Sequence, residues 1–310
     1  MSAPLPAIRF ENLRKRYGNT TAVEELSFEV NAGEIFGLIG PDGAGKTTAM
    51  RIACGLLLPD AGDVWVAGRS SVTEPAQIKQ RLGYMPQRFS LYPDLTVAEN
   101  LRFFADLYDV PDEVRREHEE RLMQFSRLGP FRDRRAGKLS GGMKQKLALS
   151  CNLIHTPEVL ILDEPTTGVD PVSRREFWEI LKELAEQGTA LLVSTPYMDE
   201  ALLCRRVALM HQGRVIALGT PDEVTRRFVR RLIEIKGSGL NSARQALSSL
   251  EREGIQTNRF GDRLHVVFDT SVQEQTIRAQ MTGLSVSVMA IPPTIEDTFV
   301  ALMEQPTSIA

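Results

Sequence analysis

Three short stretches carry residue types that could do chemistry. GPDGAGKT (40–47) fits the pattern G-x-x-x-x-G-K-[ST]. Gly40, Gly43 and Gly45 let successive backbone N–H groups turn inward around phosphate oxygens. Lys46 supplies a full positive charge near those phosphates, and the Thr47 hydroxyl is a hard oxygen ligand suited to Mg2+. VLILDE (159–164) ends an apolar run on two carboxylates. Asp163 could hold Mg2+ through water, and Glu164 could polarise an attacking water as a general base. LSGGMKQKLAL (139–149) is a Ser-Gly-Gly turn opening an amphipathic helix, for which a generic phosphate-loop enzyme has no use.

These residues need elements to position them. EIFGLIG (34–40) reads as a buried strand entering the glycine turn, and TTAMRIACGLL (47–57) as the helix leaving it, with Pro59 just beyond. VLILD (159–163) and TALLVST (189–195) read as further buried strands. RVALMHQGRVIALG (206–219) reads as a hairpin turning at Gln212-Gly213. Residues 90–157 are mostly helical in pattern. Alternating buried strands and helices predict an α/β domain with a largely parallel sheet. Such sheets bind ligands at the carboxyl ends of their strands, where the glycine loop and the acidic pair both fall.

Past about residue 228 the pattern changes. RLIEIKG, GIQTNRF, RLHVVFD and LSVSVMA read as strands, and NSARQALSSLERE, SVQEQTIRAQM and TIEDTFVALM as helices. The order βαββαβ plus a terminal helix predicts a small α+β domain of the ferredoxin-like type. The expected organisation is residues 1–228, with a helical subdomain at about 90–157, followed by 229–310.

A chain of 310 residues, 42% hydrophobic and 25% charged, suits one large and one small globular domain. A net charge of −3 gives no electrostatic footprint for nucleic acid. No apolar run approaches the roughly 20 residues of a membrane-spanning helix, and MSAPLPAIRF does not read as a signal peptide. Cys54, Cys151 and Cys204 show no metal spacing and are expected as buried apolar residues in a reducing cytoplasm.

As far as about residue 220 the chain resembles the ATP-binding subunit of ABC transporters, with the parts in that family's order. The resemblance implies a P-loop NTPase fold that takes ATP and Mg2+. It implies that Tyr17, in LRKRYG, stacks on adenine, and that Gly40, Pro41, Asp42, Gly43, Ala44, Gly45, Lys46, Thr47 and Thr48 wrap the phosphates. Gln87, in YMPQ, then touches Mg2+ with Thr47 and Asp163 and faces the membrane partner. Ser140, Gly141, Gly142 and Met143 form the signature, which acts on the ATP of a second ATPase domain. Asp170, in TTGVDP, crosses the dimer seam. Two such domains clamp two ATP molecules, and hydrolysis reopens the clamp because ATP favours the closed state. Asp42 stands where asparagine is commoner, and Met143 where glutamine is usual.

The stretch STPYMDEA (194–201) departs further. In the family a histidine that contacts the γ-phosphate follows ST; here it is Pro196, which offers neither a side-chain donor nor a backbone N–H. Losing one preorganised donor typically costs about 10²–10³ in rate. The expectation is a weakened ATP site of the chain's own, beside a usable signature for a competent partner; the intact Glu164 argues the other way. The motifs look most like the N-terminal half of fused proteins carrying two ABC ATPases, so the partner ATPase is expected as a separate chain.

IPPTIEDTFVALM (291–303) resembles the ending of ATPase subunits of drug- and antibiotic-resistance exporters. The expected role is therefore an export motor, peripheral on the cytoplasmic face of the membrane. It would power a separate permease gripped by the region 90–135, where DEVRREHEERL reads as a solvated helix face. Two alternatives are a regulatory, essentially non-hydrolysing ATP-binding subunit and a soluble, non-transport ABC ATPase. The long charged arm or coiled coil of the soluble types is absent from the sequence.

Overall fold

The apolar runs become the strands Ile35–Ile39, Val159–Asp163 and Ala190–Thr195, in which every residue is buried. Parallel strands covered on both faces require such continuous apolar runs. In this computed structural model, which describes residues 5–88 and 90–304, they form the middle of a six-stranded sheet. The ends of the expected domains (1–4 and 305–310) and Phe89 lie outside the described residues. The sheet order is Arg214–Gly219, Arg206–His211, Ile35–Ile39, Ala190–Thr195, Val159–Asp163, Leu82–Met85. All neighbours are parallel except the first pair. That pair is the expected hairpin, and Gln212 (φ 48°) and Gly213 (φ 80°) give the left-handed turn that matches strand twist.

A second sheet was not legible in the sequence. Ile8–Tyr17, Thr20–Val30, Ala61–Val66 and Arg69–Ser70 form an antiparallel sheet in the order second, first, third, fourth. Its register shifts at Phe10/Leu13, Leu13/Lys15 and Lys15/Arg16. Asn12 (φ 47°) and Glu25 (φ 52°) sit in the left-handed region at these irregularities. Each bulge moves the following side chains to the other face, which erases the alternation by which a strand is recognised. The strand Leu82–Met85 was missed for a simpler reason: it has four residues, one of them glycine.

Between the strands Leu82–Met85 and Val159–Asp163 lie the helices Val97–Leu107, Asp112–Phe125 and Gly141–Leu153. The first is fixed by a reciprocal capping box, in which Thr96 Oγ1 accepts from the Glu99 N–H and Glu99 accepts from the Thr96 N–H. The helix after the glycine loop runs only Lys46–Ala53 rather than to residue 57. Gly55 takes φ 63° and ends it, as a glycine just past a helix does.

The chain divides into two compact units between Pro221 and Asp222. In the second, Arg231–Gly237, Gln256–Phe260, Arg263–Phe268 and Val286–Ala290 form an antiparallel sheet in the order second, third, first, fourth. One face carries Ile233, Ile235, Leu264 and Val266 against the helices Leu240–Ser248 and Ser271–Gln280. The expected helix at 241–253 stops at Ser248 and is followed by a short 3-10 turn.

The strand register sets Glu234 opposite His265. His265 Nδ1 meets Asp297 Oδ1 of the terminal helix Ile295–Glu304 at 2.7 Å, and its Nε2 lies 3.6 Å from Glu234 Oε2. Asp297 Oδ2 accepts from the Thr294 N–H (3.0 Å) and hydroxyl (2.6 Å). Burial pushes the Asp297 carboxyl up, but the bonds from His265 and Thr294 outweigh it and hold the group below its ordinary 3.8. A carboxylate whose folded value is depressed stabilises fully above its unfolded value, and that contribution is lost as pH falls through the folded one. We therefore expect Asp297→Asn to destabilise this unit by about 2–4 kcal/mol at neutral pH, with the gap to the parent closing below about pH 4. Thermal unfolding of both proteins from pH 7 to pH 3 measures it; a constant gap would remove the Asp297 carboxylate charge as its cause.

Candidate active site

The glycine loop ends in a helix whose first N–H groups are left open. Gly45 is the N-cap, with φ 103° and no side chain to bond back to the first turn. A Cβ there would lie 2.1 Å from the Ala22 carbonyl oxygen, so only glycine fits. The open N–H groups and the helix dipole make this end a seat for an anion. Within the loop, Lys46 Nζ donates to the carbonyls of Gly40 (2.7 Å) and Pro41 (3.0 Å) and lies 3.4 Å from Glu164 Oε1. The side chains of Lys46 and Glu164 are only 3% and 6% exposed, so neither charge is relieved by bulk water.

Neighbouring strands bring the carboxylates to the same place, with Asp163 opposite Ser194 and Ser194 opposite Leu38 in register. Asp163 Oδ1 accepts from Thr47 Oγ1 (3.1 Å) and Ser194 Oγ (2.6 Å). Asp163 Oδ2 is buried and has no hydrogen-bond partner among the described residues. A buried carboxylate oxygen beside a hydroxyl and a phosphate loop is a donor set that suits Mg2+. Glu164 Oε2 accepts from Gln87 Nε2 (2.7 Å) and Thr167 Oγ1 (3.4 Å). Burial and the Asp163 charge push the Tyr84 hydroxyl up to about 12 and raise the Cys54 thiol. All three cysteines are free and buried, as expected.

The predicted site residues thus fall into groups. Lys46, Thr47, Gln87, Asp163 and Glu164 share one hydrogen-bonded cluster. Pro41, Asp42 and Gly43 are exposed on the loop, Ala44 is buried, and Thr48 is half-buried in the first helical turn. Tyr17 is exposed, with Lys15 Nζ 5.9 Å from its ring centre. Pro196 directly follows the strand Ala190–Thr195 and is half-buried. Ser140 caps the helix Gly141–Leu153, its Oγ accepting from the Met143 N–H at 3.4 Å. A Cβ on Gly142 would come within 2.5 Å of Ser173, so glycine permits the close crossing of the helix Pro171–Glu186.

Asp170 caps that second helix through the N–H groups of Ser173 (2.9 Å) and Val172 (3.1 Å), which hold its carboxyl below the ordinary range. Lys146 pairs with Glu176 between the same two helices. Among the described residues, no hydrogen bond or ion pair joins Tyr17, Ser140 or Asp170 to the loop cluster. Two residues of the cluster were missed in the sequence, Ser194 and Thr167. A hydroxyl inside a fully buried strand is the signal that Ser194 carries, since a buried polar group demands a partner.

Residues 23–167 match the family described as ABC transporter. The chain is 37% identical over 305 residues to the Nod factor export ATP-binding protein I of Ralstonia nicotianae, with 96% of this chain and 94% of that one covered. It is 40% identical over 299 residues to the "Probable multidrug ABC transporter ATP-binding protein YbhF" of Escherichia coli, covering 96% of this chain. The chain spans about half of YbhF, 52% of its length. A solved dimeric ATP-binding cassette in a post-hydrolysis state, bound to ADP and Pi, superposes with a TM-score of 0.63 at 25% identity, over 69% of this chain and 98% of that one. With its phosphate loop, acidic strand end and capped signature helix, the chain belongs to the ATP-binding proteins of the ABC transporter family.

Proposed function

We propose that the chain is the ATP-driven motor subunit of an ABC-type export system, closing on a second ATPase domain to power a separate membrane permease. The observation that carries this is the cluster of Lys46, Thr47, Gln87, Asp163 and Glu164, joined through Ser194 at one end of the parallel sheet, with Lys46, Asp163 and Glu164 buried. Nod factor export and multidrug transport, in the names of two relatives, support export. The dimeric cassette supports pairing of ATPase domains. Among the described residues no helix is long and apolar enough to cross a membrane.

The residues divide the work as follows. Lys46 exchanges the carbonyls of Gly40 and Pro41 for phosphate oxygens, and the open N–H groups beyond Gly45 receive the rest of the anion. Thr47, Asp163 and Gln87 would hold Mg2+, which when bound neutralises charge on the terminal phosphates. Once Lys46 turns to phosphate, Glu164 loses its buried counter-charge and is available to polarise water. Gln87 donates to Glu164, so a movement of the segment around residue 87 reaches the base directly. Ser140–Met143 serve the ATP of the partner domain, Tyr17 stacks on adenine, and Asp170 lies at the seam. In the second unit, the strand order and the two helices on one face support a ferredoxin-like domain.

The permease is assigned to a groove of about 700 Å3, walled by Leu56, Leu107, Tyr108, Val114 and His155 and reaching Tyr84, three residues before Gln87. Leu56 and Leu107 are 54% and 60% exposed, an apolar surface awaiting cover. His155 stacks on Tyr108 at 3.7 Å, and burial pushes it down to about 4, so this imidazole adds no charge to the groove at physiological pH. Leu107→Glu is expected to cut recovery of the chain with its permease from detergent extracts by about tenfold or more, with ATP affinity unchanged. Unaltered recovery would move the docking surface elsewhere.

Pro196 gives the proposal its particular form. Glu164 is held by Gln87 and Thr167, and the proline adds no donor toward the γ-phosphate. Hydrolysis at this site is therefore slow, and the alternative of a regulatory subunit beside a competent ATPase draws on the same residue. Steady-state ATPase measurements on the purified chain test this. We expect the parent to lie near Glu164→Gln, and Pro196→His to raise the rate about tenfold or more. A parent far above Glu164→Gln, with nothing gained from histidine, makes the chain an ordinary homodimeric motor.

A further inference from the structure

We infer that Ser194 is a positioning residue of the nucleotide site: through one hydroxyl it fixes which oxygen of Asp163 faces the metal and holds the backbone of Glu164. The inference rests on the Mg-ATP site proposed above. Ser194 is fully buried in a strand that runs Ala190, Leu191, Leu192 and Val193 before it and ends at Thr195. A hydroxyl has one proton and two acceptor lone pairs. Here the proton goes to Asp163 Oδ1 at 2.6 Å, the short distance of a bond to a charged acceptor. A lone pair takes the Glu164 N–H at 3.0 Å, and the Ser194 carbonyl takes the same N–H at 3.1 Å.

Two consequences follow. Thr47 and Ser194 both donate to Oδ1, so Oδ2 is left bare in a buried setting. An unpartnered carboxylate oxygen is costly unless a cation or water meets it, so the hydroxyl pair selects Oδ2 as the metal-facing atom. Glu164 has φ 50°, an uncommon conformation for a residue with a side chain, at the point where its carboxylate turns back toward Lys46 and Gln87. Both acceptors that hold its N–H belong to Ser194. The next residue of the strand does not substitute, because the Thr195 side chain points to the opposite face, where its Oγ1 accepts from the Tyr197 N–H at 3.0 Å, and Pro196 has no donor. Ser194 is thus the side chain by which this strand acts on both carboxylates.

Calorimetric binding of ATP to the full chain, with excess Mg2+ and separately in EDTA, tests the inference. The parent should bind Mg-ATP about tenfold or more tighter than metal-free ATP. Ser194→Val, close in shape but without the hydroxyl, should lose most of that difference, with metal-free affinity changed less than about twofold. Ser194→Thr should restore it, and Ser194→Ala should repeat the loss should valine fail to fold. A hydroxyl-free variant that keeps the parent's Mg2+ dependence overturns the inference. So does an equal fall in both affinities, which marks a merely structural role. A parent that binds no Mg-ATP overturns the site itself, a result distinct from either.

Discussion

A buried ammonium facing a buried carboxylate is the constraint on which the site depends. Lys46 and Glu164 lie 3.4 Å apart with almost no exposure. Two charges removed from water are tolerable only when each is paired and its remaining bonds are met. The loop answers for Lys46 with two carbonyls, and Gln87 and Thr167 answer for Glu164. An incoming triphosphate competes for the same lysine, so nucleotide binding must redistribute the bonds that Lys46 makes. That links occupancy of the loop to the counter-charge of Glu164, which Gln87 also holds.

The sheet makes this geometry possible. Parallel strands all end at one edge, so residues far apart in sequence converge there without a long loop. Asp163 and Ser194 are partners in register, and Ile39, one residue before the glycine loop, pairs with Thr195. The strands are buried throughout, which leaves their positions little freedom. A polar atom introduced at such an edge is held to a fraction of an ångström by packing alone.

The motifs were legible because their chemistry demands fixed residue types at fixed spacing. The glycine loop, the acidic strand end and the central buried strands could be read directly, as could the hairpin at Gln212-Gly213, where both turn residues need positive φ. The N-terminal sheet could not, since its bulges at Asn12 and Glu25 break the period that identifies a strand. Nor could Ser194 and Thr167 be read from their spacing. Their roles exist only through neighbours 31 residues away in the first case and by a turn in the second.

Pro196 lies outside the bonded cluster, just past the end of the strand Ala190–Thr195. That strand carries Ser194, whose hydroxyl donates to Asp163 Oδ1 and accepts from the Glu164 N–H. Replacing a donor at 196 leaves Ser194, Thr47 and the Lys46–Glu164 pair untouched, because none of their bonds passes through that residue. Lys46, Thr47, Asp163, Glu164 and Ser194 are bonded to one another inside the sheet edge, whereas residue 196 belongs to the turn outside it. On the proposed reading, a change at residue 196 alone would slow turnover while leaving the seat for ATP intact.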